Sequence, residues 1–266
     1  LNKTELLQFL EKIGAAPRRS LSQNFLIEKS IIHKLITMAQ IKPGDKVLEI
    51  GSGPGAITSE LLATGAHVFA VEMDRLFSQH LPPHPNLVVH SGDILKFPLE
   101  TLEKGPWKVV SNLPFHITAP IFQMLFNQPG LFESFTFIVQ KEVVNRIKAV
   151  PSTKEFGSLT IFLQFYTELK STFPIPASCF YPKPAVDSTA IHLIPKPPAP
   201  IDPDRFFPVV RKAYQQRRKM LTSTLRDVTP PILGLLEELK LNPKARPEEL
   251  TLENWIDLIR KIDTLQ

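Results

Sequence analysis

Cysteine is almost missing: Cys179 is the sole one in 266 residues. A single thiol excludes an internal disulfide framework and any cysteine-clustered zinc site, and it suits a reducing compartment. Long apolar runs are missing too, since none approaches the roughly 18 residues that a membrane helix needs. The first twelve residues mix Lys3, Glu5, Glu11 and Lys12 with Leu6, Leu7, Phe9 and Leu10, an amphipathic helix pattern and not a signal peptide. These absences predict a cytoplasmic protein with no membrane partner. His80 and His84 have i, i+4 spacing, but Pro82, Pro83 and Pro85 predict a solvated loop there, so no metal is expected.

Hydrophobic residues make up 43% of the chain, enough for a sizeable core. The net charge of +5 is unevenly spread. Residues 203–226 hold seven basic side chains (Arg205, Arg211, Lys212, Arg217, Arg218, Lys219, Arg226) and one acid, Asp204, so this stretch carries +6 and the rest of the chain −1. Phe206, Val209, Val210, Ala213, Met220 and Leu221 predict one apolar face along a basic helix here. Such a concentration suits a polyanionic partner, with a solvated helix face as the alternative.

Five prolines between Pro195 and Pro203 predict a stiff linker. Before it, Val-, Ile- and Phe-rich runs at 46–50, 67–72, 86–90, 107–111 and 135–140 alternate with helical patterns such as 56–64 and 117–126. That alternation predicts a mostly parallel sheet covered on both faces, with a late strand near 190–194 adding antiparallel. After the linker the pattern is all helical, and Trp255, Leu258, Ile259 and Ile262 mark one face of a final helix. The expected organisation is an α/β domain over 1–196, Rossmann-like, and a small helical domain over 197–266.

The first predicted strand runs into Gly51-Ser52-Gly53-Pro54-Gly55 and then a helix, so a ligand can approach bare backbone. The sixth position of a dinucleotide fingerprint is Ala56, not glycine. Glu72, twenty-one residues after Gly51, ends the next strand, where a carboxylate can accept both ribose hydroxyls of an adenosine. Asp93 and Ile94 follow the third strand, where a carboxylate can accept from an adenine amine. Ligand-like ends on three successive strands favour S-adenosylmethionine over NAD.

The fourth strand ends in Asn112-Leu113-Pro114-Phe115. An aromatic amine is a poor nucleophile because its lone pair is delocalised into the ring. The Asn112 side-chain oxygen and the Pro114 carbonyl can each accept one of its N–H groups, which aims the lone pair at an incoming methyl. Phe115 offers a face for a purine, worth roughly 1–3 kcal/mol of stacking. Such a site works on a base withdrawn from its stack and requires no metal. His116 is read as a packing or RNA-facing residue, and Cys179 as structural.

These residues resemble the KsgA family of ribosomal RNA adenine dimethyltransferases nearly end to end. Residues 19–26, R-S-L-S-Q-N-F-L, are similar to that family's S-L-G-Q-N-F-L motif, with Ser22 in place of glycine. Residues 140–144 and 154–159 match its central motifs, and residues 180–188, F-Y-P-K-P-A-V-D-S, its F-x-P-x-P-x-V-D-S segment. Residues 217–221 and 246–252, the latter R-P-E-E-L-T-L, match its C-terminal domain. Phe115 stands where the family usually has tyrosine, Ser52 where many members have proline, and Phe156 where tyrosine is common. The resemblance implies that Asn24 and Leu26 join Gly51, Gly53, Glu72, Asp93, Ile94 and Asn112 around the cofactor, and that Phe180 borders the target base. It implies an enzyme acting on two adjacent adenosines in a hairpin loop near the 3′ end of small-subunit ribosomal RNA, within an immature subunit; a monomer is expected. Arg18, Arg19, Arg211, Arg217, Arg218 and Lys219 would hold phosphates, with affinity that falls as salt rises. The rivals are the related macrolide-resistance methyltransferases of large-subunit RNA, disfavoured by the R-P-E-E-L-T-L stretch, and a catalytically dispensable relative serving ribosome assembly.

Overall fold

The computed structural model describes residues 1–229 and 231–265, with the backbone but not the side chain of Arg19. Among these, nine strands form in chain order: β1 (Phe25–Leu26), β2 (Lys46–Ile50), β3 (His67–Glu72), β4 (Leu87–Ser91), β5 (Trp107–Asn112), β6 (Phe132–Gln140), β7 (Thr167–Ile175), β8 (Phe180–Tyr181) and β9 (Ser188–Pro195). Seven make one sheet in the order β4-β3-β2-β5-β6-β9-β7, while β1 and β8 pair separately. From β4 to β6 the strands are parallel; β9 runs antiparallel to β6, with Phe137 opposite Ile191.

Residues Val47, Leu48, Val68, Ala70, Val109 and Val110 are all buried, as strands covered on both faces require. The predicted strands at 46–50 and 67–72 coincide with β2 and β3, and the late antiparallel strand is β9. The sequence reading missed β7, whose Glu168, Lys170 and Ser171 are exposed on the last strand of the sheet. The strand order reverses between β2 and β5. A crevice opens beyond the carboxyl ends of the strands at such a reversal, and it is where ligands of open α/β sheets bind.

The chain divides into two compact units, Leu1–Val144 with Leu169–Pro195, and Asn145–Glu168 with Lys196–Gln266. This differs from the division expected at the prolines. The helix Ser158–Tyr166 contributes Ile161 and Phe165 to the core of the second unit, where the Phe165 and Phe206 rings lie 4.9 Å apart. Apolar packing, and not the linker alone, sets the boundary.

The second unit also corrects the single basic helix. A helix covers Pro203–Gln215, a turn follows, and a short helix covers Leu221–Thr224, so Arg217, Arg218 and Lys219 lie in the turn. Phe206, Val210, Ala213 and Leu221 are buried as expected, but Met220 is 40% exposed. The last helix, Leu252–Asp263, buries Trp255, Leu258, Ile259 and Ile262 as the spacing predicts. Among the described residues no helix is long and apolar enough to cross a membrane.

Candidate active site

The first unit carries a cleft lined by the ends of β1 to β5 and open to solvent at its mouth. The strand ends supply Gly51 to Pro54 after β2, Glu72 and Met73 from β3, Gly92 to Ile94 after β4, and Asn112 to Ile117 from β5. A fifth segment, Leu21 to Leu26, closes the remaining side.

Gly51 has φ +73°, a conformation that L side chains rarely adopt, and an added Cβ there would meet no protein atom within 4 Å. Bare backbone thus faces open space. Gly53, with φ +49°, has a second reason to be glycine: a Cβ would sit 3.0 Å from the Phe25 ring.

Glu72 organises this turn. Its Oε2 accepts the Gly53 N–H at 2.7 Å and its Oε1 accepts the Asp74 N–H at 2.7 Å. Burial pushes its carboxyl above the ordinary carboxylate range, against the opposing pull of those N–H groups. A carboxylate has about four acceptor positions, so capacity remains for ligand hydroxyls. Behind it, burial pushes Glu49 up to about 8, while the Thr58 hydroxyl donates to it at 2.6 Å. Asp93 caps the turn after β4 by accepting the Leu95 N–H at 3.0 Å, and Ile94 is buried beside it.

Asn112 holds the informative geometry. Its Nδ2 donates to the Asn24 carbonyl oxygen at 2.8 Å, which fixes the rotation of the carboxamide. Its Oδ1 is shielded from solvent and has no hydrogen-bond partner. A buried acceptor left without a donor costs stability, and such groups in folded proteins ordinarily have a partner. The Pro114 carbonyl is less free: the Ile117 N–H donates to it at 3.2 Å and the Thr118 hydroxyl lies at 3.4 Å. Phe115 is half-buried and lines the cleft.

The cleft therefore brings together Asn24, Leu26, Gly51, Gly53, Glu72, Asp93, Ile94, Asn112, Pro114 and Phe115. It does not include Phe180. That ring is 2% exposed and packs in a core cluster with Leu26, Ile32 and Phe173, so stacking on a base does not fall to it. Neighbours in a strand face opposite ways, and here the half-buried one is Tyr181.

The expected phosphate contacts divide as well. Arg217 pairs with Glu248 and donates to the carbonyls of Lys154 at 2.9 Å and Thr153 at 3.0 Å, all within the second unit. Its guanidinium ties a loop down, which corrects its assignment to RNA. Arg218, Lys219 and Arg211 are exposed, with the Arg211 Nε donating to Phe207 O at 3.3 Å. Arg18 is exposed, 3.6 Å from buried Asp74. The Arg19 side chain lies outside the described residues.

Sequence reasoning missed Met73, 56% exposed on the cleft wall, and a contact between Ser22 and His116. One signal for the latter was present: Ser22 occupies a glycine position of the motif, and its φ is +51°. His80 closes the helix Arg75–His80, while His84 lies beyond it. Among the described residues no group of three or more His, Cys, Asp or Glu could hold a metal.

The fold is that of Rossmann-like methyltransferases. A dimethyladenosine transferase from Plasmodium falciparum superposes with a TM-score of 0.78 at 24% identity, over 90% of this chain and 98% of that one. The 23S rRNA methyltransferase ErmE does so with a TM-score of 0.68 at 23% identity, over 90% of this chain and all of that one. Residues 14–264 match the family described as ribosomal RNA adenine dimethylase, and the chain belongs to that family. Relatives named ribosomal RNA small subunit methyltransferase A are 40% identical in Protochlamydia amoebophila, over 97% of this chain and 96% of theirs, and 39% identical in Chlamydia caviae, over 98% and 97%.

Proposed function

We propose that this protein dimethylates the exocyclic amines of two adjacent adenosines in a 3′-terminal hairpin loop of small-subunit ribosomal RNA. The observation that carries the reading is the buried, unpartnered Asn112 Oδ1 at the end of β5, locked in place by Asn24. An acceptor held that way suits a substrate N–H.

S-adenosylmethionine fits the remaining surface, and when bound it supplies an electrophilic sulfonium methyl. The open backbone at Gly51 accommodates its amino-acid end, Glu72 keeps acceptor capacity for ribose hydroxyls, and Asp93 stands where it can accept from an adenine amine. Leu26 and Ile94 supply apolar contact.

An adenosine withdrawn from its loop would stack on Phe115. The Asn112 Oδ1 accepts one N6 hydrogen, and the Pro114 carbonyl accepts the other once the long Thr118 hydroxyl contact passes to the Phe115 carbonyl, 3.3 Å away. Holding both hydrogens opposes delocalisation of the nitrogen lone pair into the ring. Alignment of amine and methyl then does most of the work. The methylated ammonium is strongly acidic, so water suffices to take its proton. After one transfer a single N–H remains, and Asn112 alone holds it for the second.

Arg218, Lys219 and Arg211, with Arg18, would meet RNA phosphates, and binding would weaken with salt. The protein acts as a cytoplasmic monomer on an immature subunit. Nucleoside mass spectrometry after incubation with labelled cofactor and separated subunits tests the reading. Dimethyladenosine from the small subunit is expected. Label confined to the large subunit, or no label, would contradict it.

A further inference from the structure

The Ser22 Oγ and the His116 Nδ1 lie 3.0 Å apart, joining segments 94 residues apart in sequence. Both residues line the cleft. Ser22 precedes Asn24, whose carbonyl locks Asn112, and the Asn24 side chain donates back to the Ser22 carbonyl at 3.0 Å. His116 directly follows Phe115 in the turn Phe115–Ile117. The same two segments are thus tied twice, once at the base acceptor and once beside the stacking ring.

We propose that Ser22 and His116 are positioning residues, a latch that holds the Asn112–Ile117 turn against the Leu21–Leu26 segment. The proposal rests on the adenine-methylating reading of Asn112. Two observations support it. Ser22 adopts φ +51°, where glycine is favoured, so its side chain is kept at a conformational cost that the hydroxyl contact offsets. His116 is exposed, so burial of its ring does not explain the contact. Without it, the half of the turn bearing Phe115 loses its side-chain tie to the facing segment, while Asn112 keeps its own. The latch therefore bears first on base stacking and approach. The direction of the bond follows the imidazole tautomer: a bare Nδ1 accepts from the hydroxyl, and an Nδ1–H donates to it.

The test uses the full-length chain and the variants His116→Ala, His116→Asn and Ser22→Gly, with the Ser22→Gly/His116→Ala double variant. Asparagine can return an acceptor to the position of Nδ1, and glycine relaxes the backbone at position 22, so neither variant should unfold the protein. Amide hydrogen exchange is read at residues 20–24 and 113–118. His116→Ala should quicken exchange at 20–24, across the contact, and His116→Asn should restore it. With small-subunit RNA as substrate, each single loss should lower kcat/KM roughly tenfold, and the double variant should lose no more than either single one. Native exchange at 20–24 in His116→Ala, or losses that add in the double variant, would overturn the latch. Failure of the underlying reading looks different: Asn112→Ala would then retain native methyl transfer, whatever the exchange data show.

Discussion

The Asn112 carboxamide donates its N–H to the Asn24 carbonyl at 2.8 Å, and that bond decides which way its oxygen points. A residue of the β1 segment therefore orients the end of β5, and the orphaned oxygen follows from that contact.

Replacing Asn112 with alanine removes the acceptor, and kcat should fall by about 10²-fold or more, as when one preorganised polar group is lost. Asn112→Asp should fare no better, because a carboxylate oxygen would face the Asn24 carbonyl where Nδ2 now donates.

The two aromatic positions should behave differently. Phe115→Ala should weaken use of the RNA substrate by the stacking contribution, roughly 1–3 kcal/mol, with native thermal stability. Phe180→Ala should instead destabilise the fold by about 3–5 kcal/mol, because it empties a packed site in the core. Steady-state kinetics and thermal melts separate the two.

Arg217 and its neighbours should separate as well. Arg217→Ala loses the pairing with Glu248 and two bonds to the loop at Thr153 and Lys154, and should cost about 2–3 kcal/mol of stability. Arg218→Glu with Lys219→Glu should leave the melting temperature near native and weaken subunit binding, with a shallower salt dependence. Filter binding across a salt series reads the second effect.

The sheet was legible because strands covered on both faces become Val- and Ile-rich runs ending in turn residues, as at Ile50-Gly51. Strand β7 was not, because an edge strand with Glu168, Lys170 and Ser171 exposed lacks that signature. That Gly51, Glu72 and Asn112 would line one cleft was legible because each stands at the carboxyl end of a predicted parallel strand. The role of Arg217 was not, since no local pattern tells whether a guanidinium meets a phosphate or a carboxylate 31 residues away. The same holds for Phe180: its motif marks an aromatic, while the strand's alternation decides which face it takes.

Stability should depend on pH through Glu49. Its carboxyl is held up to about 8 in the folded protein against an ordinary value of 4.5, so the folded state keeps a proton that the unfolded chain releases. Stability is then fully present below about 4.5 and declines as pH rises toward about 8. Glu49→Gln should flatten that decline in urea melts taken across this window, and the raised Glu72 would leave only a residual slope.

The most direct measurement of the central claim is a crystal structure with a cofactor analogue and an adenosine-containing oligonucleotide bound. The account predicts the Asn112 Oδ1 within hydrogen-bonding distance of the adenine N6, with that nitrogen in line with the methyl position and the purine stacked on Phe115. An adenine N6 remote from Asn112, or a carboxamide turned so that its oxygen faces Asn24, would contradict it.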